Sequence, residues 1–133
     1  MTKLSWIAAL LMFFSVFASQ AAAATPSKVT VTNVQVQLIG GGTYAVTVTG
    51  TAQLGTGDEY VGFKCDLQKP DRTFVSTFAN MPIPTPGGPA VNWTATTSVT
   101  DLGGWIAIGA MAYRTGTPKV LKSTTDSKNF NVP

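Results

Sequence analysis

Apolar and polar residues alternate with a period close to two along most of the chain that follows residue 27. The clearest example is Thr43–Leu54, in which Tyr44, Val46 and Val48 share one parity and threonines occupy most of the other. This alternation is typical of an antiparallel strand with one buried and one solvated face. No window has the 3.6-residue apolar periodicity of an amphipathic helix, so the pattern predicts an all-β domain.

Turn residues divide this pattern into about seven predicted strands, at the spacing of a sandwich or a barrel. The apolar parity changes at Thr32-Asn33, which predicts a bulge where an edge strand leaves one sheet and joins the other. The polar stretch Lys122–Lys128 predicts an interruption in the last strand. The predicted strands are Lys28–Ile39, Thr43–Leu54, Glu59–Lys69, Thr73–Ala79 (short and at an edge), Ala90–Thr100, Trp105–Arg114 and the interrupted segment Val120–Val132.

The segment Asn80–Pro89 contains four prolines. Because proline has no amide donor, this segment cannot be a central strand. It predicts a long, stiff connection that crosses between the sheets, and a presented recognition loop is the alternative.

The predicted strand Trp105–Arg114 differs from the others because both of its parities are apolar or small. One parity carries Trp105 and Met111, and the other carries Ile106 and Ile108. A strand of this kind is central and covered on both faces, or it meets a partner. Ile106 and Ile108 are therefore candidate partner-binding residues.

The first 24 residues have the composition of an export signal. Lys3 supplies the positive charge, Trp6–Ala18 is an apolar run too short to cross a bilayer, and Ala22–Ala24 fits a signal peptidase site. We expect cleavage within a few residues of Thr25, with an uncleaved membrane anchor as the alternative. The remaining residues 25–133 then form a single secreted or periplasmic domain, without a further stretch that could span a membrane.

Composition excludes several classes of function. Nine basic residues include Lys3 of the leader, which leaves eight against six acidic ones, and they form no run of the kind that binds nucleic acid. The chain has no histidine, so it lacks Ser-His and Cys-His nucleophilic sites and the commonest metal ligand.

The single cysteine and the six acidic residues suggest no site either. Cys65 follows the apolar parity of Val61 and Phe63, which predicts a buried thiol. Asp58 could join Asp101 or Asp126 around calcium, but no Asp-x-Asp-x-Asp spacing supports such a site. We predict no catalytic, cofactor or metal site and a protein that is not an enzyme.

Aromatic residues are the remaining candidates for ligand binding. Most share the parity of aliphatic core residues, so a core position is the default. Trp105 follows Gly103-Gly104 at the start of its strand, Tyr60 follows two acidic residues, and Tyr113 precedes Arg114. These placements make Trp105, Tyr60 and Tyr113 candidates for stacking on a sugar.

The strand rhythm over about 105 residues, the parity change in the first strand and the proline-rich link before the fifth resemble an immunoglobulin-like or fibronectin type III-like β-sandwich. The resemblance implies an antiparallel two-sheet sandwich with a Greek key, on a scaffold used for adhesion, spacing and binding. The family's cysteine pair is absent, and Val61, Phe63 and Cys65 stand where a tryptophan is expected in the third strand.

These observations predict a non-catalytic binding or structural domain of the protein-interaction or adhesion type. Its partner would be another protein or a second copy, through sheet-edge pairing or the strand that is apolar on both faces. One alternative is a carbohydrate-binding module that uses exposed aromatics on a polysaccharide. Another is a pilus-type subunit whose interrupted last segment leaves a groove in the fold.

Overall fold

A computed structural model describes residues 24–133, so the predicted leader lies outside the described residues apart from Ala24. Within this part, no helix has the length and apolar character needed to cross a membrane. The described chain forms eight strands: β1 (Lys28–Gly40), β2 (Thr43–Gln53), β3 (Glu59–Gln68), β4 (Phe74–Ser76), β5 (Phe78–Asn80), β6 (Val91–Val99), β7 (Gly103–Thr115) and β8 (Val120–Val132).

The strands form two four-stranded antiparallel sheets, in the orders β1-β2-β6-β5 (sheet A) and β4-β3-β7-β8 (sheet B). The sheets pack face to face around one apolar core. The prediction of an all-β, antiparallel two-sheet sandwich is confirmed, with eight strands in residues 24–133 where the pattern predicted about seven.

Trp93 on β6 lies at the centre of the core and is 1% exposed. Its ring extends over Gly50 of β2, and Gly109 of β7 approaches it from the opposite sheet. The indole Nε1 donates to the carbonyl of Thr51 at 3.1 Å, and the ring of Phe63 lies 4.9 Å away between centroids. The two glycines therefore provide the space that the largest core side chain occupies.

The parity change in the first strand is a bulge, as predicted, with Thr32 as the extra residue between Val31 and Asn33. It keeps Val31 and Val34 on the same face, because they pair with Gly50 and Val48, which are both buried. The predicted passage from one sheet to the other is wrong, since β1 pairs with β2 along its whole length.

The chain changes sheets instead within the predicted strand Thr73–Ala79. This segment forms β4 in sheet B and β5 in sheet A, separated by Thr77. The backbone N–H and the side-chain hydroxyl of Thr77 both donate to the carbonyl of Cys65, at 3.3 and 2.6 Å. These two bonds fix the chain at the point where its pairing with β3 ends and its pairing with β6 begins.

The proline-rich segment joins β5 to β6, which are neighbours in sheet A, so the predicted crossing between sheets is wrong. Pro84 is buried, and the Gly87 N–H donates to the carbonyl of Leu54 at 2.9 Å. The side chain of Gln53 donates to the carbonyl of Gly88 at 3.1 Å. The segment is thus fixed against the end of β2.

The last strand is continuous, so the predicted interruption at Lys122–Lys128 is wrong. β8 pairs with β7 over thirteen residues without a register shift. Its residues are polar because β8 is the edge of sheet B and receives its stability from main-chain pairing with β7. The pilus-type alternative depended on this interruption and loses its support.

Candidate interaction surface

The two faces of β7 differ in what covers them. Trp105, Ala107, Gly109 and Met111 point into the core and are buried. The side chains that point outward include Ile106 and Ile108, which are half-buried. In residues 24–133, no further element covers this outer face of sheet B. The central position of this strand is confirmed, and its outer face is open.

A groove of about 570 Å³ runs along this outer face. The strand register produces it, because small residues lie side by side on three strands. Gly62 of β3 pairs with Ala112 of β7, which pairs with Ser123 of β8. The next row places Ala110 beside Thr125. We call this depression the sheet B groove; its lining includes Gly62, Asp66, Phe74, Ile108, Ala110 and Thr125.

One ion pair lies in the sheet B groove. Lys64 Nζ is 3.5 Å from the Asp66 carboxylate, and the two side chains are 71% and 11% exposed. An ion pair with so exposed a lysine contributes little to stability, and the lysine can move aside at small cost. The carboxylate of Asp66 is thus a polar acceptor next to an apolar floor formed partly by Ile108.

Phe74 forms one wall of the groove and is 56% exposed. The default core position of aromatic residues does not identify it as a surface residue. Parity could have identified it: Phe74 shares a face with Ser76, whereas the more buried Val75 pairs with Leu67 in the core. Phe78 of β5 has the same parity and is also exposed.

Trp105 lies in the core and not at an open strand end. Its ring is 2% exposed and stacks on Phe130 at 6.5 Å between centroids. Its Nε1 donates to the carbonyl of Asp101 at 3.0 Å, and the Lys69 ammonium lies 5.5 Å from the ring centroid. These contacts leave no free ring face for a sugar.

Tyr60 and Tyr113 are register partners and are half-buried. Burial raises the pKa of Tyr60. A bulge at Val61 turns Tyr60 to the core side of β3. Val61 itself is exposed, so its predicted inward position is wrong. Tyr113 lies eight residues beyond Trp105 on β7, about 26 Å along a strand, so the three predicted rings do not form one platform.

The thiol of Cys65 is buried, as its parity predicted. Burial is the main cause that raises its pKa to about 11, and the nearby Asp66 carboxylate acts in the same direction. A thiol of this kind is protonated at neutral pH and is a poor nucleophile. Cys65 therefore acts as a small core residue.

Asp58 has a structural role at the end of the sandwich. Its carboxylate accepts a bond from the Ser27 hydroxyl at 2.6 Å, and Ser27 accepts one from the Gly55 N–H at 2.8 Å. These bonds fix the start of the described chain to the β2–β3 turn. No group of three or more acidic, cysteine or histidine side chains that could hold a metal ion occurs in residues 24–133.

No family model, no curated protein and no solved structure matches the chain. The sheet B groove is therefore the feature of residues 24–133 that best supports a function.

Proposed function

We infer that the chain is an exported, non-catalytic binding domain whose sheet B groove accepts an extended apolar segment of a partner protein. The observation that carries this proposal is the outer face of β7, where Ile108, Ala110 and Ala112 form an apolar floor without a covering layer in residues 24–133. A concave, mostly apolar depression with a few polar groups is the usual form of a ligand-binding site.

The shape of the groove favours an extended segment. Its floor is formed by residues of the adjacent strands β3, β7 and β8, and the longer side chains of Phe74 and Lys64 flank it. Its volume of about 570 Å³ lies in the range of ligand-binding clefts. The Asp66 carboxylate offers one acceptor to an amide or a basic side chain of the bound segment, which would fix its position along the groove.

The strand order supports an immunoglobulin-like Greek key for this domain. If the eight strands are lettered A, B, C, C′, D, E, F and G in chain order, sheet A reads A-B-E-D and sheet B reads C′-C-F-G. Immunoglobulin-like sandwiches have this arrangement of strands. Export rests on the signal-like composition of residues 1–24, so the proposed location is secreted or periplasmic.

Gly62 allows a direct test, because a Cβ added there would have no neighbour within 4 Å. Gly62→Arg should therefore fill the groove while the fold stays intact. Gly104→Arg is the matched control. Gly104 of β7 is equally open and lies on the same outer face of sheet B as Gly62, but outside the groove. Peptides selected from a displayed random library on the wild-type protein would serve as probes.

We expect selected peptides to bind the wild type and Gly104→Arg alike, and to bind Gly62→Arg at least tenfold more weakly. Equal binding to all three proteins, or a library from which no peptide is enriched, would contradict the proposal.

A panel of soluble polysaccharides tests the carbohydrate alternative, which the exposed ring of Phe74 supports. Polysaccharide binding that Gly62→Arg abolishes would replace the peptide by a sugar as the ligand.

A further inference from the structure

The four sheet edges of this sandwich are protected to different degrees. β4 and β5 are edges of only three residues each. β8 is long but carries Lys122, Asp126 and Lys128, and charges of this kind prevent edge-to-edge pairing. The part of β1 beyond its bulge, Asn33–Gly40, has neither a charged residue nor a proline. It is the one long edge in residues 24–133 without such protection.

The bulge separates this open edge from the covered start of β1. The Val31 N–H donates to the Asp126 carboxylate of β8 at 2.7 Å, which satisfies the edge there. After Thr32 the strand pairs with β2 on one side only, and Leu38 and Ile39 are 58% and 57% exposed. An uncharged, apolar strand edge of this length is a template for pairing with another strand.

We propose that two copies of the chain pair antiparallel through Val34–Leu38 of β1, the regular stretch between its bulges at Thr32 and Ile39, around a two-fold axis at Val36. The sequence of this edge is complementary to itself in that register. Gln35 lies opposite Gln37 of the second copy on the solvent face, and Val34 lies opposite Leu38 of the second copy on the core face. Residues that lie opposite each other share a face, so this register continues sheet A without turning any side chain to the wrong side.

The second copy is favoured over an unrelated strand because the edge carries no charge that would repel itself. A two-fold contact uses the same edge on both copies, so it closes as a dimer. The remaining edge of sheet A is β5, which is too short to extend the assembly into a filament. The contact lies on sheet A and is independent of the groove on sheet B, so either proposal can fail without the other.

Charge substitutions at the two glutamines test both the contact and its register. Gln35→Lys with Gln37→Lys places like charges opposite each other across the two-fold axis, twice per dimer. Gln35→Lys with Gln37→Glu places opposite charges there instead. The matched control is Thr94→Lys with Thr96→Lys, at exposed positions on the outer face of the same sheet but on the internal strand β6. Sedimentation equilibrium over a concentration series measures association, and circular dichroism confirms folding of each variant.

The wild type, the lysine–glutamate variant and the control should all be dimers. The double lysine variant should dissociate with a dimer constant about tenfold weaker, or more. A wild type that is monomeric throughout would overturn the proposal, as would a dimer that the double lysine variant leaves unchanged relative to the control. Dissociation of the lysine–glutamate variant would refute the register at Val36.

Discussion

At the scale of single residues, the core depends on glycines that leave space for Trp93. Gly50 and Gly109 approach the indole from the two sheets, and neither has a positive φ. Their role is therefore space and not backbone conformation. The burial of Trp93 agrees with the core position predicted for aromatic residues that share the parity of aliphatic ones. The sequence could not predict the glycines' role, since the pairing of Gly50 with Trp93 is a matter of register between two strands.

We predict that Gly50→Ala destabilises the protein by about 1–3 kcal/mol, the usual effect of overpacking a core. A Cβ there would lie 2.5 Å from the Trp93 ring and would contact the carbonyl of Thr30. Urea denaturation followed by tryptophan fluorescence measures the free energy of unfolding. Gly62→Ala is the control: its Cβ meets no atom within 4 Å, so it should be neutral or slightly stabilising. Equal stability of the two variants would contradict this explanation.

At the scale of elements, alternation predicted most of the strands but not the neighbours to which they pair. The segment Thr73–Ala79 is one short predicted strand, yet Thr77 divides it between two sheets. β8 lacks a clear apolar face, yet it is continuous because its main chain pairs with β7. The parity of apolar residues indicates which face of a strand is buried. It does not indicate which strand pairs with it through main-chain hydrogen bonds.

Asp126 connects the edge strands of the two sheets, because β8 supplies the acceptor for the Val31 N–H at the bulge of β1. We predict that Asp126→Ala lowers the free energy of unfolding by about 1–3 kcal/mol, the cost of leaving a buried or half-buried donor without a partner. Asp126→Asn retains an acceptor oxygen and should lose less. Denaturant unfolding of both variants gives the comparison, and equal losses would show that the hydrogen bond to Val31 is not the reason.

At the scale of the whole molecule, the candidate site arises from three strands that no single stretch of sequence brings together. Ile106 and Ile108 could be identified because their strand is apolar on both parities. The groove beside them could not, because it depends on Gly62, Ala112 and Ser123 standing in one row across β3, β7 and β8. Position along the chain makes Trp105, Tyr60 and Tyr113 candidates for sugar binding, but the fold buries Trp105 far from the two tyrosines.

The most direct test of the central proposal is the location of the bound segment. A peptide selected on the native protein, titrated into isotope-labelled protein, should shift the backbone amide resonances of Gly62, Ala110 and Thr125, which line the sheet B groove. The amides of sheet A and of the loop Asn80–Pro89 should remain in place. Shifts confined to that loop or to sheet A, with the groove amides unmoved, would contradict the assignment of the sheet B groove as the binding site.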